Sequence, residues 1–565
     1  MTRLLFVLTT CAAFVHSLNN FLVQGRADTL RVYPHDPFSG SVPAWQPVVP
    51  KDVAVRSFHK AAQTERGRRD ISNAVIESGH CEHIELMDCS DFETDEMTCM
   101  LTATGMTCCV CTVFGVTVDT RTQFQPVIGF GGAFTDSSGI NMAALQDQTL
   151  QKLLEAYFGP TGLNYNIGRV PIASTDFSTR EYSYDDVEGD FNLKEFKLEV
   201  EDIEYKVIII SPDFKITIPF IRRAMNLTKG NLRLFASPWS APGWMKTTGR
   251  MKGGGALKED KAYHQAYANY FVRFFEEYAK YEVSFWGLTV QNEPTSGAFP
   301  MYPWQTMLFT AKTQRDFVRN FLGPRLKNSS VTKDLKVMAL DDGRIMLPGW
   351  ADTIFEDSET SKYVDGIAVH WYGNNYTPAS VLTTTHERHP EKFILATEPY
   401  FAQIFSAFQA CTGYSMQHGP ILGDWYRAER YASDIITDFN NFVAGWTDWN
   451  LCLDETGGPN WVFNVVDSPI IVNRTANEFY KQPMFYAMGH FSKFVPRGAV
   501  RVNSKVTGTA LIETTAVIHN GRRSLVLLNR NSKETPIFIE DIVMNKSMSV
   551  IIAPNSIVTF VWDKA

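Results

Sequence analysis

From about residue 120 to residue 495 one pattern recurs eight times: a short apolar run ends in polar or aromatic residues, and helical spacing follows. The runs are Val127–Phe130, Tyr165–Ile167, Leu232–Ala236, Phe285–Val290, Val337–Leu340, Ile367–Val369, Phe393–Ala396 and Val443–Trp446. Between several of them, Leu145–Tyr157, Ala262–Tyr281, Ala311–Leu322 and Tyr426–Phe442 carry apolar residues three and four apart, which predicts amphipathic helices. Strands covered on both faces read as unbroken apolar runs rather than as alternation. Eight strand–helix units therefore predict an α/β fold, a (β/α)8 barrel, whose functional face lies at the carboxyl ends of the strands. From about residue 498 the pattern alternates instead. Ala510–Ile518, a turn at Asn520-Gly521 and Ser524–Leu528 predict a hairpin, and Ile537–Ile539, Val550–Ile552 and Ile557–Trp562 predict further strands of a small all-β module.

The 565 residues are 44% hydrophobic and 13% aromatic, enough for a large core, which excludes a chain disordered throughout. The net charge of -8 argues against a dedicated nucleic-acid binder. Arg3 followed by the apolar stretch Leu4–Val15, with His16-Ser17-Leu18 able to hold a cleavage site, predicts a secretory signal over 1–17; a short N-terminal helix of a cytosolic protein is the alternative. No later run approaches the ~18 apolar residues of a membrane span. Residues 18–80 are expected to be a leader or linker. Glycosylation sequons begin at Asn226, Asn328, Asn375, Asn473 and Asn545. Six cysteines, Cys81, Cys89, Cys99, Cys108, Cys109 and Cys111, fall in the segment 81–114, which in a secreted chain predicts a self-contained disulfide knot of unassigned pairing. Zinc is the competing reading of that cluster, without a recognisable His/Cys spacing. The expected division of the rest is a β-module from 115–125 and 496–565, and a barrel over 126–495.

Glu293 ends the fourth run and Glu398 the seventh, and each precedes a proline. A carboxylate at a strand end costs several kcal/mol if buried and unpaired, so something must use it. Two carboxyls converging on one pocket are what glycosidic cleavage requires, one protonated as general acid and the other attacking the anomeric carbon or activating water. Two unrelated rim ion pairs are the plainer alternative. Trp239, Tyr302, Trp304, Trp371, Tyr372, Trp449 and Trp461 fall at strand ends or in the loops that follow; flat rings suit the C–H faces of sugars, although any single ring could be core packing. Asn292, Asp176 and Asn464 can bond hydroxyls. Arg169 ends the second strand, and a permanent cation beside Glu398 would favour its carboxylate form; a structural ion pair is the alternative. His370 could orient a neighbour or be a satisfied core histidine. Gly129, Gly131 and Gly132 lack the dinucleotide order, Cys411 and Cys452 have no His–Asn company, and no catalytic metal set stands out, so no cofactor or metal is expected.

At this point the chain resembles a known family. The segments GFGGAFTD at 129–136, YNIGRVPIASTDFS at 165–178, ASPWSAPGWMK at 236–246, QNEP at 291–294, GIAVHWY at 366–372, GWTDWNL at 445–451, GGPNWV at 457–462, DSPIIV at 467–472 and YKQPMFY at 480–486 are similar to those of the acid β-glucosidases (glucocerebrosidases) of glycoside hydrolase family 30. The resemblance runs from about Val116 to the C-terminus. It implies a TIM barrel with a β-sandwich module, a retaining mechanism with Glu293 as acid/base and Glu398 as nucleophile, and glucose held by Asp176, Trp239, Asn292, Tyr302, Tyr372, Trp449 and Asn464. It implies no cofactor, a glucosylated ceramide as substrate at a membrane surface, a saposin-like activator and a lysosomal location. Two departures stand out: the cysteines run almost directly into Val116–Gln125, and the loop after Glu398, opening with Pro399, Tyr400 and Phe401, looks expanded, which bears on the aglycone. A soluble family 30 β-glycosidase on another glycan, or a catalytically silent glycan- or lipid-binding barrel, are the competing functions.

Overall fold

The computed structural model describes residues 98–101, 107–110, 114–207, 220–371, 374, 376–398, 419–508 and 511–563. The expected signal, the leader, Tyr372, residues 399–418 of the loop after Glu398 (Cys411 among them) and most of the cysteine segment lie outside these. Within that segment, β1 (Thr98–Leu101) and β2 (Thr107–Val110) pair antiparallel, with the backbone of Cys99 opposite that of Cys109.

The described residues divide into two compact units, one of 130–427 and 445–485, the other of 98–129, 428–444 and 486–563. The first is built on a closed barrel. Its strands are β4 (Gly129–Ala133), β5 (Ile167–Ile172), β6 (Arg233–Pro238), β7 (Gly287–Thr289), β8 (Lys336–Gly343), β9 (Gly366–His370), β10 (Phe393–Glu398) and β11 (Val443–Asn450), neighbours in that order and closed by β11 against β4. Each of the eight apolar runs thus overlaps a barrel strand, although Tyr165–Ile167 meets β5 only at Ile167 and Val127–Phe130 meets β4 only at Gly129 and Phe130. Every residue of β4, β5, β9 and β11 is buried, as two-sided coverage demands. The helix Lys261–Lys280 shows how the outer layer is written into the chain. Asp260 caps it by accepting from the Ala262 amide at 2.8 Å, and Tyr267, Tyr270, Phe271, Phe274 and Tyr278 bury one face at three- and four-residue spacing. The expected helix over 311–322 is α-helical over Ala311–Phe317 and continues as a π-helix over Val318–Leu322.

Two irregularities at strand ends aim side chains. The β8–β9 register shifts between Leu340 and Asp342, where Leu340 and Asp341 have φ of 70° and 65°, and the β10–β9 register shifts between Ala396 and Glu398. Such bulges re-aim the residue they carry, here Asp341 and Thr397, the residue before Glu398. The loop after β5 is fixed from below by a buried charge cluster. Lys206 lies 2.7 Å from Asp136 and 3.3 Å from Asp202, while Asp136 also accepts from Ser178 and from Tyr182 at 2.9 Å. A three-stranded sheet of β12 (Leu453–Asp454), β13 (Ile470–Asn473) and β14 (Glu478–Lys481), absent from the sequence expectations, follows the last barrel strand.

The second unit is a seven-stranded sheet. Its strands are β3 (Phe114–Pro126), β15 (Val500–Thr507), β16 (Ile512–His519), β17 (Arg522–Asn529), β18 (Thr535–Asp541), β19 (Lys546–Ile552) and β20 (Ser556–Trp562), in the order β19-β18-β3-β15-β16-β17-β20. The β16–β17 turn has φ of 49° at Asn520 and 84° at Gly521, the left-handed pair that a two-residue hairpin turn requires. β3 pairs antiparallel with β15 and parallel with β18, so the segment before the barrel completes a sheet otherwise made after it. Its core gathers Val116, Val118, Leu525, Leu527, Ile539 and Trp562.

Candidate active site

The site stands at the carboxyl ends of the barrel strands. Glu398 is the last residue of β10, and Glu293 follows β7 with φ of 43°. One carboxylate oxygen of each and a ring nitrogen of His370 lie within 4.8 Å of one another. The two glutamates that strand position singles out therefore converge.

Arg169, the third residue of β5, is wholly buried and spends its donors on this face. It pairs with Glu398, donates to Asn292 Oδ1 at 2.7 Å and Asp341 Oδ2 at 2.9 Å, and meets Ser237 Oγ at 3.1 Å. Asp341 accepts in turn from Thr289 and Thr397, each at 2.6 Å, and faces His370 Nε2 at 3.0 Å. Burial alone would raise the pKa of Asp341, but the charges of Arg169 and His370 outweigh it and hold this carboxyl well below the usual range. For His370 burial works downward; the charge of Glu398 and the bond to Asp341 prevail and push its pKa up to about 10. The ring then carries both protons, one nitrogen on Asp341 and the other 3.6 Å from Glu293 Oε1. Glu293, His370 and Glu398 could ligate a metal only after His370 gave up that proton.

Tyr302 donates its hydroxyl to Glu293 Oε2 at 2.9 Å. Trp239 and Trp449 stack with centroids 4.9 Å apart at 23°, with the Arg169 guanidinium 4.9 Å and 5.4 Å from their rings. Phe177 meets Trp449 edge-on, and Tyr302 meets Trp304. These rings form one cluster, against which the half-buried Trp461 packs. Asp176 accepts from Asn464 Nδ2 at 2.8 Å; burial first, and then the charge of Glu398, push its pKa up to about 8, with Asn464 offsetting part of the shift. Of the eleven residues expected at the site, ten are thus gathered within one unit, and Tyr372 lies outside the described residues. Sequence reasoning passed over Ser237, Thr289 and Thr397, and treated Asp341 only as a strand end. A carboxylate directly after Val337–Leu340 was the signal available.

Chemically, the arrangement offers a carboxylate beside a permanent cation, and a second carboxyl bonded to a phenol and facing an imidazolium. Aromatic faces and amide and carboxyl groups stand alongside to hold a sugar. Among known proteins, the chain is 57% identical over 450 residues to "Putative glucosylceramidase 3" of Caenorhabditis elegans, covering 80% of this chain and 82% of that one. It is 44% identical over 454 residues to the lysosomal acid glucosylceramidase of Mus musculus, covering 80% and 83%. The solved structure of SrfJ from Salmonella typhimurium superposes with a TM-score of 0.70 at 26% identity, covering 80% of this chain and 93% of that one. Residues 127–495 match the glycosyl hydrolase family 30 TIM-barrel domain, and residues 498–560 match the beta sandwich domain of the same family. Matched in both parts, the chain belongs to glycosyl hydrolase family 30.

Proposed function

We propose that this protein is a retaining glucosylceramidase that hydrolyses glucosylceramide to glucose and ceramide. The observation that carries the reading is the approach of Glu293 and Glu398, whose carboxylate oxygens come within 4.8 Å. Retaining glycosidases hold their carboxyls about 5–5.5 Å apart, whereas inverting ones leave roughly 6.5–9.5 Å for a water. In the first step Glu398 bonds to the anomeric carbon as the C–O bond to ceramide breaks and Glu293 passes its proton to the leaving oxygen. In the second, Glu293 takes a proton from water as the hydroxyl displaces Glu398, releasing glucose with its configuration kept. Arg169 suits Glu398 to attack, and Trp239, Trp449, Asn292, Asp176, Asn464 and Tyr372 hold the glucose. The names of the two glucosylceramidases reported above support the substrate class.

The lipid half of the substrate suits exposed apolar side chains that recur in the loops after successive barrel strands. Met301 (94% exposed), Ile345, Tyr376, Leu422 and Phe463 (90% exposed) follow β7, β8, β9, β10 and β11 respectively. This favours peripheral contact with a membrane surface and a saposin-like activator over a dissolved glycan. A lysosomal destination accords with the mouse relative's name and with exposed sequon asparagines at Asn226, Asn328 and Asn545. Among the described residues, no helix is long and apolar enough to cross a membrane.

Two measurements test the reading. Proton NMR of early hydrolysis of a soluble β-glucoside should show β-glucose first; α-glucose first would refute retention. Turnover of glucosylceramide in vesicles with and without anionic lipid should exceed that of β-1,6-linked glucan. The reverse preference would favour the soluble glycosidase, and binding without any hydrolysis the silent one.

A further inference from the structure

We infer that Lys246 is a positioning residue for the general acid, its ammonium pinning the loop that carries Tyr302 and Thr306 against Glu293. This rests on the assignment of Glu293 as acid/base made above.

Lys246 closes the segment 239–246 after β6, and its side chain is fully buried. An ammonium has three hydrogens to give. Here they go to three backbone carbonyls, those of Met251 at 2.7 Å, Gly253 at 3.1 Å and Thr306 at 2.5 Å. Among the described residues no carboxylate lies within ion-pair distance of it. Burial pushes the pKa of Lys246 down to about 7, with the more distant charge of Glu181 offsetting part of the shift, so the side chain is an ammonium on the acid side of neutrality. Burying that charge costs several kcal/mol, and an apolar side chain would be the cheaper way to fill this space. What the cation does that an apolar group could not is join two loops. Met251 and Gly253 belong to the loop after β6, and Thr306 to the loop after β7.

The loop after β7 holds Glu293 through both its side chain and its backbone, the Ser296 amide also donating to its carbonyl at 3.0 Å. Tyr302 donates to its carboxylate at 2.9 Å. Thr306 bonds through its hydroxyl to Ser296 Oγ, which donates to the Glu293 carbonyl at 2.6 Å. Glu293 needs such holding. Its φ of 43° is left-handed and costs a non-glycine residue roughly 1–2 kcal/mol, and its amide is held by the Asp341 carbonyl at 2.8 Å. The same two loops are joined by Gly253 N–H to Trp304 O and Gly255 N–H to Gly297 O, each at 2.9 Å, and by Leu308 N–H to Gly255 O at 2.8 Å. Gly253 has φ of 79°, and a Cβ there would meet Pro300 O at 2.6 Å, so the backbone comes as close as a glycine allows. Lys246 is the only side chain among the described residues that bonds both loops at once through charge, and the path from it to Glu293 runs through Thr306 and Ser296.

The test separates positioning from plain stability by the leaving group. Lys246→Met and Thr306→Val are compared on 2,4-dinitrophenyl β-glucoside, whose leaving group needs no proton, and on octyl β-glucoside, which does. Glu293→Gln serves as the reference, and kcat/KM is read because it reports the first step. Both variants should lose roughly 10- to 100-fold on the octyl glucoside yet stay within about threefold on the dinitrophenyl one. The double variant should lose little beyond either single one, since both cut one path. Equal losses on the two substrates, or none, would overturn the inference. If Lys246→Met does not fold, Lys246→Gln, whose amide has two hydrogens for three carbonyls, is read by the same criteria. If Glu293→Gln itself showed no leaving-group dependence while Tyr302→Phe did, the assignment of Glu293 would fall first, and the role of Lys246 with it.

Discussion

Arg169 and Asp341 form a 2.9 Å ion pair in which neither side chain reaches solvent. They come from β5 and β8, strands that are not neighbours, so the pair crosses the barrel. Both glutamates depend on it, because Arg169 meets Glu398 and Asp341 anchors the His370 ring that faces Glu293.

Asp341→Asn should therefore destabilise the protein by about 3–5 kcal/mol, the usual loss when one partner of a buried pair is removed. The native pKa of Asp341 is depressed, so its contribution is fully present above the unfolded value near ~3.9 and is lost only as pH falls through the folded value. The gap in urea midpoint between wild type and variant should stay level from neutrality to about pH 4 and narrow below. Narrowing that began near neutrality would contradict this.

The two glutamates should fail differently. Glu398→Gln should form no covalent glycosyl-enzyme with a 2-fluoro glucoside, a null result visible by mass spectrometry against a labelled wild type. Glu293→Gln should lose roughly 10²–10⁴-fold on a poor leaving group and far less on an activated one. Azide should rescue Glu293→Ala by entering the vacated side and yielding a β-glucosyl azide. Matching behaviour of the two variants across leaving groups would undo the division of roles.

Asp176 should trade stability for function. Its native pKa lies near about 8, chiefly through burial, so between ~4 and 8 the native state holds a proton that the unfolded chain has lost, and stability falls as pH rises. Asp176→Asn removes that slope. Its melting temperature should match wild type near pH 4 and exceed it at pH 7, a gain of about 1–2 kcal/mol, while kcat/KM on a soluble β-glucoside drops. A variant less stable at pH 7 would mean that the carboxylate is paired there.

How much of this was legible depends on where each partner sits. The barrel could be read because strands covered on both faces spell continuous apolar runs, and Glu293 and Glu398 because a charge that ends such a run has few other uses. Asn520-Gly521 marked its hairpin by backbone chemistry alone. β12, β13 and β14 escaped because strands of two to four residues leave too little alternation to detect. β15 carries the alternation noted from residue 498 without a boundary of its own, and its partner β3 lies more than 370 residues earlier. Lys246 was invisible for another reason. Its acceptors are carbonyls, which every residue has, so no residue type in the sequence announces them.

Lys206 was equally silent, and it makes a fourth prediction. Lys206→Met would leave Asp136 and Asp202 buried without their cation, a loss of about 3–5 kcal/mol. Burial leads the causes that already raise the pKa of Asp202, so the stranded carboxyl should take up a proton readily in acid. The variant should then be closer to wild type at pH 4.5 than at pH 7 in its urea midpoint, and Lys206→Met/Asp202→Asn should recover part of the loss at pH 7. A deficit that did not change with pH would show that packing, not charge, is what Lys206 supplies.

The stacked pair of Trp239 and Trp449 has an optical consequence. Two indoles 4.9 Å apart at 23° are close enough for their transitions to couple, and a guanidinium beside both shifts those transitions further. This face of the barrel therefore contains its own chromophore, with a circular dichroism signature that belongs to the pair rather than to either ring. Arrival of a ligand, or local disassembly of this face ahead of the rest of the barrel, would be written in the near-ultraviolet spectrum without any label.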